Sequence, residues 1–405
     1  MSVGLCSFPE MYPVNGIQIG TACAGIKQTD RDDLTLIKLA PGSALAAVFT
    51  QNAFAAAPVV VARDNFIKSN PQWLLVNSGN ANAGNGKKGI EDALSCCRSL
   101  VDIVGGNFEQ VLPFSTGVIG EKLPVTTIVN ALPQALRSLS ESGWKNASEA
   151  ILTTDTRPKG ASIRLDLGES PVIVTGICKG AGMIHPNMAT MLSFIATDAR
   201  IDRSILQECL QLVVEKTFNA ISVDGDTSTN DACVLIATRC SGAPEITRNS
   251  PAYEIFLDGL FNVCNQLSQA IVRDGEGATK LMKFVVAEAT NTDEARIVAN
   301  TVAQSSLVKT AFFAADPNWG RILAAVGRAG IENFDISRVC IWLGNVCIVE
   351  NGERSEEYTE HEGNAVMAKE EITIRISLGR GKGEYRMLSC DLSYDYVRIN
   401  AEYRT

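Results

Sequence analysis

The segment KGAGMIHPNMATMLSFIATDA, residues 179–199, contains a threonine at a position where its hydroxyl could do chemistry. A glycine-rich stretch leads to Ala189 and Thr190, and a strongly apolar run follows. A threonine hydroxyl becomes a good nucleophile only when a base accepts its proton, and the chain has just two histidines, His185 and His361. A free α-amine on Thr190 itself would serve as that base, because its pKa of about 8 lies near neutrality.

Such an amine would arise if the chain broke between Ala189 and Thr190. The threonine hydroxyl can attack the preceding carbonyl and convert the peptide bond into an ester, which water then hydrolyses. The step needs a small preceding residue and a strained, bendable approach, and Gly180, Gly182, Pro186 and Ala189 suit both needs. The alternative is that Thr190 is an ordinary strand residue behind a glycine-rich loop.

Two further motifs combine glycines with a reactive side chain. In STGVIG, residues 115–120, the turn at Thr116 and Gly117 could present a hydroxyl and backbone N–H groups to an oxyanion. In RDGEGATK, residues 273–280, Glu276 could bind an ammonium group. The alternatives are an ordinary turn for the first motif, and a helix C-cap with a solvated charge for the second.

A surface loop explains each of three other polar segments when it is taken separately. They are NSGNANAGNG at 77–86, TTDTRPK at 153–159 and ADPNWGRI at 315–322. Lys179 could bind a carboxylate or could simply be exposed. The segment DGDTSTND at 224–231 is interpreted as a loop that leads into the strand ACVLIATR.

Composition excludes several classes of protein. Of the 405 residues, 46% are hydrophobic and the net charge is −9, which suits a globular protein and argues against nucleic acid as a partner. Neither a signal peptide nor a run of about 18 apolar residues is present, so we expect a cytoplasmic protein and no membrane partner. The twelve cysteines lack C-x-x-C spacing, which predicts reduced, buried thiols and no metal site.

Hydrophobic periodicity predicts a mixture of strands and helices without a regular βαβ repeat, hence layered α/β or α+β architecture. Helices are expected at 87–104 and 251–273, and a hairpin at 160–178. A further helical region is expected to break near Pro133 and Gly143. Asp202 is predicted to cap the helix that follows it, and His361 to lie in a loop.

Taken together and in order, the motifs resemble the ornithine acetyltransferase family, also called the glutamate N-acetyltransferase or ArgJ family of arginine biosynthesis. The resemblance extends from GIQIGTACAGIK near the N-terminus to RINAEYRT at the end, and it is most specific in KGAGMIHPNMATML and in that tail. It implies an α/β sandwich related to self-processing aminopeptidases, with a smaller C-terminal α/β domain. The corresponding division is 1–285 for the catalytic core and 286–405 for the second domain.

The resemblance also implies an activity. The precursor would cleave itself between Ala189 and Thr190 into an α chain, 1–189, and a β chain, 190–405, and two of each would form a heterotetramer. Thr190 would take the acetyl group from N-acetylornithine and pass it to glutamate in a ping-pong cycle without a cofactor. Some members also accept acetyl-CoA as a co-substrate, and the sequence contains no motif that separates the two groups.

Site roles follow from the same resemblance. Thr116 and Gly117 match the oxyanion-hole pair. The positions that match substrate-binding residues are Thr153, Lys179, Thr190, Glu276, Asn400 and Thr405. By charge, Lys179 suits the substrate α-carboxylate, and Glu276 suits the ornithine ammonium group.

Two other functions remain as alternatives. A self-processing aminopeptidase of the related superfamily would share the fold and the cleavage before the nucleophile. A non-catalytic metabolite-binding protein would keep the fold and never cleave. Activity on N-acetylornithine and glutamate, as against peptide amides, separates the two enzymes, and an uncleaved chain would favour the binding protein.

Overall fold

The computed structural model describes residues 3–4, 7–27, 29–167, 170–185 and 191–403. The chain divides into two compact units that are interleaved along the sequence. The larger unit comprises Ser7–Asn219 and Asp226–Ile271. The smaller unit comprises Met1–Cys6, Ala220–Gly225 and Val272–Thr405.

Strands and helices alternate irregularly along the chain, as the sequence predicts. The strands are β1 Ile17–Ala22, β2 Leu34–Leu39, β3 Ala44–Phe49, β4 Trp73–Asn80, β5 Val111–Val118, β6 Lys159–Asp166, β7 Pro171–Lys179, β8 Leu192–Thr197, β9 Ile221–Ser222, β10 Ala232–Ala237, β11 Leu281–Ala289, β12 Cys340–Leu343, β13 Val346–Glu350, β14 Glu353–Arg354, β15 Glu371–Ser377 and β16 Gly383–Cys390. The α-helices are α1 Ala57–Lys68, α2 Gly86–Val104, α3 Val125–Arg137, α4 Trp144–Ala150, α5 Arg203–Lys216, α6 Pro251–Arg273, α7 Thr292–Ala303, α8 Ser306–Phe313, α9 Trp319–Gly327, α10 Glu360–Met367 and α11 Tyr394–Ala401. The domain division predicted at residues 285 and 286 stays a prediction, and this point lies inside β11.

Two sheets form the centre of the larger unit. The first has the strand order β1-β2-β4-β5, and only its β4–β5 pair is parallel. The second has the order β3-β10-β8-β7-β6, with β10 and β8 parallel and the other pairs antiparallel. Strands β8 and β10 are buried along their whole length, which explains why apolar residues predominate in both.

Side chains from both sheets meet in one apolar core. Phe114 of β5 and Phe194 of β8 make an edge-to-face contact there, with ring centroids 5.2 Å apart. Such a pair adds about 0.5–1.5 kcal/mol to the hydrophobic gain from burial. The contact therefore helps to fix the two sheets against each other beneath the ends of β5 and β7.

Helices cover the outer faces of both sheets. The buried faces of α2 and α3 pack on the first sheet. On the second sheet, Gln207 of α5 exchanges hydrogen bonds of 3.0 and 3.2 Å with the backbone of Ala47 in β3. The close approach of Gly259 in α6 to Leu165 in β6 places α6 on the same sheet. The larger unit is thus an α-β-β-α sandwich, and the predicted layered α/β class is confirmed.

The smaller unit contains a sheet of strand order β14-β13-β12-β15-β11-β16-β9. Phe284 of β11 and Ile374 of β15 belong to its core, together with Val298 of α7 and Phe312 of α8. Among the residues that the structure describes, no helix has both the length and the apolar composition needed to cross a bilayer.

Three local predictions were wrong or incomplete. Helix α3 continues through Pro133, although the predicted break near Gly143 is confirmed at the start of α4. Proline removes one backbone hydrogen bond, but the buried face of α3 holds the helix on the first sheet. Asp202 occupies the N-cap position of α5 without a capping bond, because its carboxylate pairs with Arg239 at 2.5 Å. His361 lies in helix α10 rather than in a loop.

Candidate active site

Thr116 and Gly117 lie near the end of β5, where this strand runs parallel to β4. Gly117 has a φ of 134°, and a Cβ at this position would lie 2.3 Å from the backbone carbonyl carbon of Gly79. Only glycine allows the two strands to approach so closely. The backbone N–H groups at this strand end are thus held in a fixed conformation, as an oxyanion site requires.

The asparagine-rich segment that follows β4 supports this strand end from behind. Asn80 and Asn82 are 3% and 0% exposed, so the surface-loop interpretation is wrong for this part of the motif. Asn80 Nδ2 donates to the carbonyl oxygen of Lys122 at 3.1 Å, and its Oδ1 accepts the N–H of Asn82 at 2.8 Å. Ser115 Oγ donates to Asn77 Oδ1 at 2.6 Å. These bonds leave the residues around Thr116 little freedom to move.

Lys179, the last residue of β7, is brought directly to Thr116. Its Nζ donates a hydrogen bond to Thr116 Oγ1 at 3.1 Å, and its side chain is only 12% exposed. The interpretation of Lys179 as an exposed lysine is therefore wrong. Because the ammonium group occupies a lone pair of the hydroxyl oxygen, the hydrogen of that hydroxyl remains available to donate to another acceptor.

The ammonium group of Lys179 also lies near the buried carboxylate of Asp155. Asp155 Oδ2 lies 4.0 Å from Lys179 Nζ, and Asp155 Oδ1 lies 2.6 Å from Lys159 Nζ. The side chains of Asp155 and Lys159 are both 0% exposed. Asp155 also accepts the backbone N–H of Gly180 at 2.6 Å and that of Thr153 at 3.1 Å. Thr153 is thereby placed next to the same carboxylate.

The surroundings of Asp155 keep it ionised. Burial by itself would raise the pKa of Asp155, but the ammonium groups of Lys159 and Lys179 outweigh that effect, and the donated hydrogen bonds add to theirs. The pKa of Asp155 consequently lies well below its usual value. The Asp155 carboxylate thus holds two ammonium groups in place, that of Lys159 at the start of β6 and that of Lys179 at the end of β7.

The segment before β10 contributes two residues that sequence reasoning missed, Asn230 and Asp231. Asn230 Nδ2 donates to the carbonyl oxygens of Ala81 at 2.6 Å and Ser115 at 2.9 Å, which ties the second sheet to the first beside Thr116. Asn230 is 6% exposed and Asp231 is 3% exposed. The signal in the sequence is an Asn-Asp pair directly before a fully apolar strand, a place where polar side chains become buried.

Asp231 differs from Asp155 in its surroundings. Burial raises the pKa of Asp231 well above its usual value. The Ser228 hydroxyl, the Lys179 ammonium and the Met191 backbone N–H all favour the carboxylate, but they do not offset burial. Asp231 Oδ2 has no hydrogen-bond partner within the described part of the chain.

In the smaller unit, the structure brings Glu276 and Asn400 together across 124 positions of sequence. Asn400 Nδ2 donates to Glu276 Oε2 at 2.7 Å. Glu276 is 8% exposed, so the alternative of a solvated charge is wrong. Gly277 has a φ of 68° and lies against the start of α11, where a Cβ would approach Ser393 Oγ to 2.5 Å. The motif GEGATK is therefore a turn that packs on the C-terminal helix.

Three predicted positions, Ala189, Thr190 and Thr405, lie outside the described residues. The described residues continue from Met191, and Leu192 lies opposite Lys179 in the ladder between β7 and β8. Met191, which directly follows Thr190 in sequence, is therefore the neighbour of the residue that pairs with Lys179.

Comparison with known proteins gives the family. The ArgJ family model matches residues 18–405. A relative from Methylococcus capsulatus, named arginine biosynthesis bifunctional protein ArgJ, is 60% identical over 98% of this chain and 97% of its own length. A relative of the same name from Pseudomonas fluorescens is 51% identical over 100% of both chains. The chain belongs to the ArgJ family.

Solved structures with similarity to this ArgJ-family chain carry related names. ArgJ from Bacillus halodurans is 40% identical, covers 50% of this chain with 95% of its own, and has a TM-score of 0.48. Ornithine acetyltransferase from Mycobacterium tuberculosis, in complex with ornithine, is 28% identical, covers 43% of this chain with 92% of its own, and has a TM-score of 0.37.

The family prediction made from the sequence is confirmed, and the class of enzyme with it. This ArgJ-family chain is an acyltransferase of arginine biosynthesis. Membership over nearly the whole chain also favours the acetyltransferase over the aminopeptidase and the non-catalytic binding protein.

The cysteines of this ArgJ-family chain take no part in the described site. The eleven cysteines within the described residues are all free thiols, and most are buried, as predicted. Burial raises the pKa of Cys233 to about 12 and also raises the pKa of Cys178. These thiols stay protonated at neutral pH and behave as small apolar side chains.

Proposed function

We propose that this chain transfers the acetyl group of N-acetylornithine to glutamate through an acetyl ester on Thr190. Self-cleavage between Ala189 and Thr190 would first free the α-amine of Thr190. The proposal is carried by one observation: in an ArgJ-family chain, the Thr116 hydroxyl and the Gly117 backbone are fixed at one strand end with the Lys179 ammonium in contact with that hydroxyl.

In the first half-reaction, Thr190 Oγ attacks the acetyl carbonyl of N-acetylornithine while the α-amine of Thr190 accepts the hydroxyl proton. The negative charge that develops on the carbonyl oxygen is stabilised by the Thr116 hydroxyl and the Gly117 backbone N–H. Lys179 supports this step, because its hydrogen bond to Thr116 Oγ1 leaves the threonine hydrogen free for the oxyanion. The bond from the acetyl carbon to nitrogen then breaks, and ornithine leaves with the proton.

In the second half-reaction, the neutral amine of glutamate attacks the carbonyl carbon of the acetyl ester, and the bond from this carbon to Thr190 Oγ breaks. The α-amine of Thr190 passes the proton that the glutamate nitrogen loses to Thr190 Oγ, and N-acetylglutamate is released. Donor and acceptor are both α-amino-acid derivatives, so the same groups can bind both. Lys179 is assigned to the α-carboxylate, and Glu276, held by Asn400, to the ornithine ammonium group. Thr153 and Thr405 are assigned to substrate binding as well. Neither half-reaction requires a cofactor in this scheme.

The charge assignment has its own test. Glu276→Gln keeps the shape of the side chain and its bond to Asn400 but removes the negative charge. We expect the Michaelis constant for N-acetylornithine to rise at least tenfold, while that for glutamate, which lacks the terminal ammonium, changes little. An unchanged Michaelis constant for N-acetylornithine would remove Glu276 from this role.

Three further features belong to the proposal. The relatives from Methylococcus capsulatus and Pseudomonas fluorescens are named bifunctional, and we assign the second reaction to acetylation of glutamate by acetyl-CoA. The cleaved α and β chains are assigned to a heterotetramer with two copies of each. The protein is assigned to the cytoplasm. Assays with acetyl-CoA as the sole donor, and the mass of the native assembly, test the first two points.

The decisive experiment is intact-mass spectrometry of the purified protein beside its Thr190→Ala variant, followed by transfer assays. We expect two chains from the natural sequence, the second of which begins at Thr190, and one uncleaved, inactive chain from the variant. The control is Thr197→Ala, a buried threonine at the far end of β8, which should cleave normally. An uncleaved natural chain that still transfers acetyl groups would contradict the assigned nucleophile.

A further inference from the structure

Lys179 donates to a neutral hydroxyl although a carboxylate lies close to it. Its Nζ lies 3.1 Å from Thr116 Oγ1 and 4.0 Å from Asp155 Oδ2, and the second distance is too long for a hydrogen bond. Opposite charges in a buried site attract each other more strongly than an ammonium group and a neutral hydroxyl do. The attraction between Lys179 and Asp155 must therefore be weakened by another group.

A second buried lysine, Lys159, pairs with this carboxylate at a shorter distance. Its Nζ donates to Asp155 Oδ1 at 2.6 Å, and both side chains are 0% exposed. The Gly180 N–H donates to the same oxygen at 2.6 Å, and the Thr153 N–H donates to Oδ2 at 3.1 Å. A carboxylate offers about four lone pairs, and in the described part of the chain three of them are filled by groups other than Lys179.

Lys159 also compensates more of the negative charge than Lys179 does. Burial raises the pKa of Asp155, and among the groups that lower it the Lys159 ammonium acts more strongly than that of Lys179. A buried ion pair loses its hydration, and an apolar pair of similar volume is often equally stable. Stability alone therefore does not explain why a lysine is buried at this position, one hydrogen bond away from the carboxylate that Lys179 approaches.

We propose that Lys159 is a positioning residue, which pairs with Asp155 and thereby keeps the Lys179 ammonium on the Thr116 hydroxyl. This inference rests on the proposed function and deepens it, because the Thr116 hydroxyl is the proposed oxyanion donor. Without Lys159, the Asp155 carboxylate would draw Lys179 Nζ into a direct ion pair. The Thr116 hydroxyl would then lose the bond that leaves its hydrogen available to the oxyanion.

The first test is Lys159→Met, which keeps a long side chain and removes the charge. In a crystal structure of the variant, we expect Lys179 Nζ to lie about 2.7–2.9 Å from an oxygen of Asp155 and to have left Thr116. We expect kcat for acetyl transfer from N-acetylornithine to glutamate to fall at least ~10-fold, part of the loss that follows removal of an oxyanion donor itself. A folded variant that keeps Lys179 on Thr116, or keeps the natural kcat, would overturn the inference and leave the proposed function intact. A natural chain that transfers no acetyl group would overturn both.

The second test adds Asp155→Asn to Lys159→Met. The double variant lacks the carboxylate that would draw Lys179 away, so we expect kcat to recover to within about threefold of the natural value, the non-additive result of two residues that act through each other. A merely structural role predicts a further loss instead, and a double variant no more active than the single one would overturn the inference. The double variant also removes both buried charges, which covers the case in which Lys159→Met does not fold. A folded double variant with kcat at least ~10-fold below the natural value would then contradict the role of Lys159.

The matched control is Lys88→Met in α2. Lys88 Nζ lies 2.6 Å from Asp92 Oδ1, so this pair has the same distance and the same spacing of four residues, and the Asp92 side chain is only 8% exposed. Circular dichroism identifies folded preparations, and kcat is expressed per cleaved chain, which intact mass counts. We expect the natural kcat from Lys88→Met. An equal fall of kcat in both folded variants would show a general effect of losing such a pair and would overturn the inference.

Discussion

At the scale of single residues, the motif STGVIG contains two glycines that both have a positive φ but differ in their surroundings. Gly117 has a φ of 134°, and an added Cβ would lie 2.3 Å from a backbone carbon of Gly79. Gly120 has a φ of 85°, and no atom lies within 4 Å of an added Cβ. The first position is restricted by both strain and space, and the second by strain alone.

We therefore expect different results from the two alanine variants. Gly117→Ala should force β4 and β5 apart, displace an oxyanion donor and lower kcat by about 10²–10³. Gly120→Ala should reduce the free energy of unfolding by about 1–2 kcal/mol, the cost of a left-handed alanine, and keep kcat near its natural value. Steady-state kinetics and urea unfolding measure both effects. Equal losses of kcat in the two variants would contradict the assignment of Gly117.

Residues were predictable from the sequence where a motif combined a reactive side chain with glycines. Thr116 and Gly117 were selected in this way, whereas Lys179 was selected only through the family resemblance, and the structure brings Lys179 to Thr116. Asn230 and Asp231 were missed because polar residues before a strand usually indicate a loop. Their burial depends on two sheets that meet at this end, and the local sequence does not encode that contact.

At the scale of elements, Asp155 fastens the ends of β6 and β7 to the turn between α4 and β6. Its pKa is lower in the folded chain than in the unfolded chain. The stabilisation that it provides is therefore complete above about pH 4, the usual pKa of an aspartate, and is lost as the pH falls through the lower folded value.

Asp155→Asn would remove the buried carboxylate that pairs with Lys159 at 2.6 Å. We expect the free energy of unfolding at pH 7 to fall by about 3–5 kcal/mol. The difference from the natural protein should shrink as the pH is lowered below about 4. The control is Asp64→Asn, which breaks a pair with Lys68 whose side chains are both 58% exposed, and which should cost less than about 1 kcal/mol. Urea unfolding across pH measures both, and a difference that persists unchanged in acid would contradict the argument.

Elements with strong periodicity were predictable, and their interruptions were less so. The helices α2 and α6 and the β6–β7 hairpin were predicted close to their observed bounds. Pro133 was misjudged because a local rule about one lost hydrogen bond was outweighed by the apolar face that α3 buries on the first sheet. The free energy gained by burying this face depends on tertiary packing, which the local sequence pattern does not reveal.

At the scale of the whole molecule, the order of residues along the chain does not show which segments make up each unit. The smaller unit takes Ala220–Gly225 from the middle of the sequence, where β9 pairs in parallel with β16 through Ile221 and Leu388. A two-residue strand has no periodicity to detect. The local sequence therefore does not show that this segment belongs to the smaller unit, whereas family membership, which depends on the whole sequence, was predictable.

The catalytic cycle is also a property of the whole molecule, because a covalent intermediate divides it into two separable halves. With N-acetylornithine alone, the β chain should gain the mass of one acetyl group and release one equivalent of ornithine, and glutamate should then remove that group. Initial rates at several fixed glutamate concentrations should give parallel double-reciprocal lines. Activity should rise through about pH 7–8 as the α-amine of Thr190 loses its proton. Intersecting lines, together with an unmodified β chain, would mean that the acetyl group passes directly between bound substrates, and Thr190 would then lose its role as the carrier.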